Sequence, residues 1–248
     1  MKILYTIFAV VVLFTACKKE TIIESGNPMP VSGNLTINMK NMVGAEDLVL
    51  SDLRYTNAAG NLYSINLLKY YMSNVVLHKK AGGNVNVSIY KLIDASNSSS
   101  CSVNLGLLEP GDYDSISFGL GIDQGRNHTG AQDGDLDVSK GMYWTWNTGY
   151  IFYKHEGQYQ NSANQIKPLI FHLGTDAAYS IVKLPITLNI NGDKTMELKF
   201  DVNSAHTTPV NIDFNTDNNH QSSSAADLPW IANMKSNLSD AFSFIRVL

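Results

Sequence analysis

From Val182 to Val202 the chain alternates apolar and polar residues almost without a break. Val182, Leu184, Ile186, Leu188 and Ile190 take every second place, and after Asn191-Gly192-Asp193 so do Met196, Leu198, Phe200 and Val202. Successive side chains of a strand point to opposite faces, so this is the pattern of two half-buried strands. Asn-Gly between two such runs is the strongest short hairpin signal. Pro185 falls on the polar side, where an edge strand tolerates it. Alternation recurs at Leu35-Ile37-Met39 and at Ile116-Phe118-Leu120-Ile122. Gly82-Gly83-Asn84 leads into an extended run from Val85 to Ile93, and Glu109-Pro110-Gly111-Asp112 follows Val103 to Leu107. Asp47 to Tyr55 and Leu62 to Ile65 flank a turn-like spacing, and Leu67 to Leu77 reads as helical at first and then extended. Residues 227–242 form the one expected helix, with Pro229 in its first turn and Ile231, Met234, Leu238 and Phe242 on one side. About nine short strands at regular spacing, without an internal repeat, point to an all-β fold: an antiparallel two-sheet β-sandwich with a short C-terminal helix.

The N-terminus has a different character. Lys2 precedes an apolar run from Ile3 to Phe14, too short to span a bilayer comfortably, and Thr15-Ala16-Cys17 follows. This resembles a bacterial lipoprotein signal, in which Cys17 is acylated and anchors the chain to a membrane surface without a span. Residues 1–17 are then the signal peptide ending at the acylated cysteine, and 18–32 a flexible tether punctuated by Gly26, Pro28 and Pro30. That tether reaches on the order of 50 Å when extended. The folded domain is expected over 33–248. The expected location is the cell envelope, periplasmic or surface-facing. With Cys17 lipidated, Cys101 lacks a partner in the chain and is expected to be a small buried residue. No disulfide framework exists, so the fold rests on its core. A net charge of −4 without an extended Lys/Arg cluster excludes a nucleic-acid role.

Few chemical motifs survive scrutiny. Asp133-Gly134-Asp135-Leu136-Asp137 opens like a calcium loop, but the central glycine position holds Val138 and the closing glutamate position holds Trp144. Gly119-Leu120-Gly121 with Gly125 is not a dinucleotide fingerprint, and no hydrolase elbow or His-Glu-x-x-His occurs. No general-base pair supports an enzyme. Asp123 to Lys140 reads as a long polar loop.

Gly141 to Gly157 concentrates aromatic residues. If it is extended, Trp144, Trp146, Thr148, Tyr150 and Phe152 share a face, with the two indoles ~6.6 Å apart along the strand. Of the six histidines, His78 is expected to be solvated and His155 to pair with Glu156 at the surface. His172 lies inside the apolar run Leu169-Ile-Phe-His-Leu-Gly174, where its ring must find a partner. His220 lies in a loop before the helix, and His206 in another loop competes with it. Two imidazoles with soft indole faces and no carboxylate cluster suit copper(I) better than calcium or magnesium.

A set of ordered blocks carries a resemblance: Leu68-Lys-Tyr-Tyr-Met-Ser-Asn-Val-Val-Leu77, Gly119-Leu-Gly-Ile-Asp123, Gly141-Met-Tyr-Trp-Thr-Trp-Asn-Thr-Gly-Tyr-Ile-Phe152 with Glu156-Gly157, Phe171-His-Leu-Gly174, and His220 with Ile231-Ala-Asn233. Together they resemble the MbnP-like domain family of bacterial copper-binding proteins over about Leu35 to Phe242. The resemblance implies a β-sandwich binding a single copper ion, Cu(I) on the donor set above. It also implies that a tryptophan can be oxidised to kynurenine by a di-haem peroxidase partner and ligate copper beside two histidines. Carried onto this chain, Trp144 or Trp146 is the modified or copper-facing residue, and His172 and His220 are the imidazole ligands. The expectation is therefore a lipid-anchored, non-enzymatic copper-binding protein for copper acquisition or handling. The alternative is a non-catalytic envelope scaffold whose aromatic strand contacts a carbohydrate or protein, which requires exposed indoles.

Overall fold

The computed structural model describes residues 29–144, 149–222 and 225–248. Strands β1 (Gly33–Val43), β2 (Glu46–Asp47), β3 (Tyr55–Thr56), β4 (Leu62–Lys79) and β5 (Asn84–Asp94) open the chain. Strands β6 (Ser102–Leu108) and β7 (Gly111–Leu120) follow, then a short helix α1 (Gln124–Asn127). Strands β8 (Ile151–Gln160), β9 (Ile166–Gly174), β10 (Ser180–Ile190) and β11 (Lys194–Asp201) lead to helix α2 (Val202–Thr207). The chain ends with β12 (Asn219–Gln221), helix α3 (Leu228–Asp240) and β13 (Phe242–Val247).

Two sheets form the sandwich. One runs β13-β11-β1-β2 with β6 also on β1; the other runs β10-β7-β4-β8-β9-β12 with β3 and β5 on β4. Tyr70, Phe118, Phe200 and Phe242 meet between them, with ring centroids 4.8–5.8 Å apart. Each such ring contributes roughly 1.5–3 kcal/mol by leaving water. The C-terminal helix falls where expected, with Ile231, Met234 and Leu238 buried and Pro229 in its first turn.

The sandwich is mixed rather than antiparallel. β1 and β11 pair in parallel, as do β9 and β12. The expected hairpin at Asn191-Gly192-Asp193 is a crossover instead: β10 pairs with β7 in one sheet, while β11 pairs with β1 and β13 in the other. Both strands alternate because each buries one face in the same core, which local pattern cannot distinguish from mutual pairing. The turn is held by the start of the chain. Asn191 Oδ1 accepts from Val31 N at 3.2 Å, and Asp193 Oδ1 accepts from Asn34 N at 2.7 Å. Pro185 does lie in an edge strand, since β10 ends its sheet.

Leu67 to Leu77, read as partly helical, is extended throughout as part of β4. Asp47 to Tyr55 is mostly irregular, with only short β2 and β3 at its ends. The polar stretch from Asp123 to Lys140 packs over the outer face of the larger sheet. Tyr71 Oη donates to Asp135 O at 2.9 Å, and Tyr150 Oη donates to Leu136 O at 2.8 Å, with Leu136 and Met142 buried beneath. The Asp135 carboxylate, part of the calcium-like spacing, accepts from Leu92 N and faces Lys91 Nζ at 3.1 Å.

Gly33 starts β1 directly against the crossover: a Cβ there would lie 1.9 Å from the Gly192 carbonyl oxygen. Gly33→Ala is therefore expected to destabilise by roughly 1–3 kcal/mol, as overpacking against backbone does. Thermal unfolding checks it, at about 2–4 °C per kcal/mol for a chain of this size; an unchanged midpoint would show that the turn is not seated there.

Candidate metal-binding face and a buried histidine pair

β8 and β9 divide their side chains between two environments. Tyr153, His155, Leu169, Phe171 and Leu173 point into the sandwich and are fully buried or nearly so, while Lys154, Glu156 and His172 stand on the outer face. The pairing Lys154↔His172 and Glu156↔Ile170 brings the polar groups together. His172 Nε2 lies 2.8 Å from Glu156 Oε1, and Lys154 Nζ lies 3.2 Å from the same oxygen. Burial pushes the His172 pKa down, and the Glu156 hydrogen bond only partly opposes it. Burial would raise the Glu156 carboxyl, but the His172 hydrogen bond and the Lys154 charge outweigh it and hold it below the usual range. A neutral His172 bonded to Glu156 carries its proton on Nε2, which leaves the lone pair on Nδ1. This carboxylate–imidazole arrangement is the one that orients metal-ligating histidines.

Trp144 arrives at the same face. A Cβ on Gly174 would lie 2.5 Å from the Trp144 ring, so the indole rests on the backbone at the end of β9. Gly174 and His172 share a side of that strand, two residues apart. Trp144 is not in a strand, contrary to the expected alternation. The Tyr143↔Tyr150 bridge and the bond from Trp144 N to Gly149 O at 3.1 Å make the chain return on itself, and β8 begins only at Ile151. Trp146 and Thr148 lie outside the described residues. The return is anchored by Asn127, whose Oδ1 accepts from Tyr150 N at 2.8 Å and whose Nδ2 donates to Asp176 Oδ1 at 3.0 Å.

His220 goes elsewhere. In β12 it is in register with Phe171, and Gln221 with His172. His220 therefore projects on the inner side, where it stacks on Trp230 at 4.4 Å with planes 11° apart, its Nε2 3.2 Å from Asp217 Oδ1. The two expected imidazole ligands occupy adjacent strands but opposite faces, because one residue of offset in a pleated strand reverses direction. The structure does not bring them into one site. Among the described residues, no three His, Cys, Asp or Glu side chains converge as a metal-binding group. Trp144 and Trp230 are buried, which removes them as an exposed platform for a glycan. Cys101 is half-buried, and burial raises its thiol pKa, so it stays a protonated thiol beside Asn41.

The structure assembles a pair that the sequence reading missed. His155, expected at the surface, and His206 are both fully buried, with His155 Nδ1 3.2 Å from His206 Nε2. Their planes differ by 18° with centroids 5.0 Å apart, so the rings lie nearly parallel. Tyr63, Phe171 and Phe214 surround them. Burial lowers the His155 pKa to about 4, against weaker upward pulls from the Ser64 backbone and Glu156; burial and the neighbouring ring hold His206 well below its ordinary value. The outer nitrogens, His155 Nε2 and His206 Nδ1, make no hydrogen bond of acceptable geometry. The available signal was parity: His155 shares its phase with the buried Tyr153 and Tyr159, while its polar neighbours Lys154 and Glu156 suggested a surface position.

The fold is thus a mixed β-sandwich whose β8–β9 wing carries an oriented imidazole beside an indole. A family model described as MbnP matches residues 32–227, most of the chain, and the chain belongs to that family. Among solved structures it is similar to MbnP from Methylosinus trichosporium, at 13% identity with a TM-score of 0.50, covering 74% of this chain and 81% of that chain. That likeness concerns the fold. No curated protein matches the chain.

The pair generates a pH prediction for the metal-free protein. Both rings have folded pKa values below the unfolded value of ~6.5, so the unfolded chain binds more protons and stability falls as pH drops through that value. The loss continues until the folded rings themselves protonate, near 4 for His155. Between pH 6 and 5 the two rings together are expected to cost about 2 kcal/mol. Denaturant unfolding across that window checks it, and a double His155→Gln, His206→Gln variant should show a flatter slope.

Proposed function

We propose that this chain is a non-catalytic copper-binding protein of the cell envelope, serving copper acquisition or handling and held to a bacterial membrane through an acylated Cys17. The observation that carries this reading is the meeting of Trp144, Gly174, His172 and Glu156 on one face of the β8–β9 wing. Family membership supports it, since the MbnP family is linked to copper handling.

The residues fit a soft ion. His172 would hold it through Nδ1, with Glu156 fixing the tautomer and Lys154 balancing the carboxylate. Trp144, or Trp146, would complete the site as a kynurenine after oxidation by a di-haem peroxidase partner, whose aniline nitrogen supplies a donor that indole lacks. His220, stacked on Trp230 on the inner side, is not part of this site. The ion itself supplies redox-capable cargo; the chain's residues bind and orient it.

Copper analysis of the intact protein after loading with copper(I), together with mass spectrometry of the peptide holding Trp144 and Trp146, tests this reading. Bound copper is expected, weakened about 10–100-fold by Glu156→Ala through loss of the orienting hydrogen bond. A protein that retains no copper under any loading would overturn it. The same spectra report acylation of Cys17.

A further inference from the structure

We propose that His155 and His206 form a second, internal site for a soft monovalent d10 cation, held linearly between His155 Nδ1 and His206 Nε2. This site is independent of the outer face and of the family reading, and rests on three features of the interior.

The first is the hydrogen-bond account. Two neutral imidazoles carry two N–H groups and two lone pairs, and one of each is used in the 3.2 Å contact. The outer nitrogens make no well-formed hydrogen bond, and only the Ser64 backbone interacts with the His155 ring, which leaves the outer nitrogen of His206 buried and unpaired. Leaving such a group unpaired costs about 1–3 kcal/mol. Phenylalanines would fill the same space without that cost, so polar rings here are unexplained by packing.

The second is geometry. The two rings are nearly parallel, with facing nitrogens 3.2 Å apart and centroids at 5.0 Å, so they must pivot as well as separate to reach the linear approach of two-coordinate binding. With imidazole–metal bonds of ~2 Å, the facing nitrogens must stand ~4 Å apart, less than 1 Å beyond the observed 3.2 Å. The ion takes the place of the bridging proton. That proton moves to the outer nitrogen of its own ring, so both rings stay neutral and no net proton is released.

The third is selectivity. Tyr63, Phe171 and Phe214 close the sides of the pair with ring centroids 5.2–6.4 Å from the imidazoles. The Tyr63 hydroxyl donates to Asn203 Oδ1 at 2.7 Å. Among the described residues no third His, Cys, Asp or Glu joins the pair, which disfavours zinc with its tetrahedral demand. Copper(I) and silver(I) accept two soft nitrogens, and aromatic faces favour a single positive charge in an apolar space.

Silver(I), which needs no redox control, is the probe. In the intact 15N-labelled protein, long-range 1H–15N histidine spectra should show one equivalent of silver(I) shifting His155 Nδ1 and His206 Nε2. Protons should then appear on both outer nitrogens, while zinc(II) leaves both rings unchanged. His206→Gln should weaken this binding at least 100-fold, and His172→Ala should leave it intact. Silver(I) or copper(I) that perturbs only His172 or His220 would overturn this site while leaving copper binding by the outer face standing. Failure of either ion to bind anywhere would overturn both. Equal occupation of the pair by zinc(II) would defeat the coordination argument. Because the decisive reading is on the unsubstituted protein, misfolding of a variant does not obscure the result.

Discussion

Two strands claim the same edge of β4, and β8 hands over to β7 between Tyr70 and Met72. β8 pairs along Tyr63–Tyr70 and β7 along Met72–Lys79, while β5 runs down the opposite edge from Lys69 to His78. A strand has only two hydrogen-bonding edges, so β7 and β8 must lie end to end. The register shifts around Ser73, with Asn74 at φ 47°, a left-handed conformation that asparagine tolerates better than most residues. The handover at Tyr71 divides one sheet into two arms. One arm, β7–β10, closes the sandwich; the other, β8–β9–β12, carries His155, His172, His220 and the backbone that Trp144 covers.

This division explains why the two imidazole environments are neighbours yet separate. β8 presents His155 inward and Glu156 outward in consecutive positions, and β9 presents Phe171 inward and His172 outward. A single pair of strands therefore lines an apolar, fully buried pocket on one side and carries an imidazole oriented by a carboxylate on the other. The inner rings are kept neutral by burial; the outer ring is kept in one tautomer by a carboxylate. Both devices keep imidazole lone pairs available, by different physical means.

Much of the fold was legible because period-2 burial is a local property. β7, β10 and the helix α3 follow their apolar patterns closely, and His172 was singled out because a polar ring in an apolar run needs a partner, which Glu156 supplies. What failed was partner choice. Asn191-Gly192-Asp193 marks a turn correctly, but whether the flanking strands pair with each other depends on β1 and β7, more than sixty residues away in sequence. The same limit misled the histidines: His155 and His206 are 51 residues apart, and His172 and His220 were joined in expectation without knowledge of the pleat that separates them.

The parallel pairing of β1 has a mechanical meaning. β1 is bonded along one edge to β11 over eight register positions and along the other to β6, and the chain enters it at Gly33. A pull on the N-terminus runs along the axis of this strand, so the bonds on both edges are sheared together instead of opening one by one. The crossover turn that clasps Val31 and Asn34 adds a catch at the point of entry. A domain hung by its first residues is thus gripped in the middle of a sheet, where tension is shared across three strands at once.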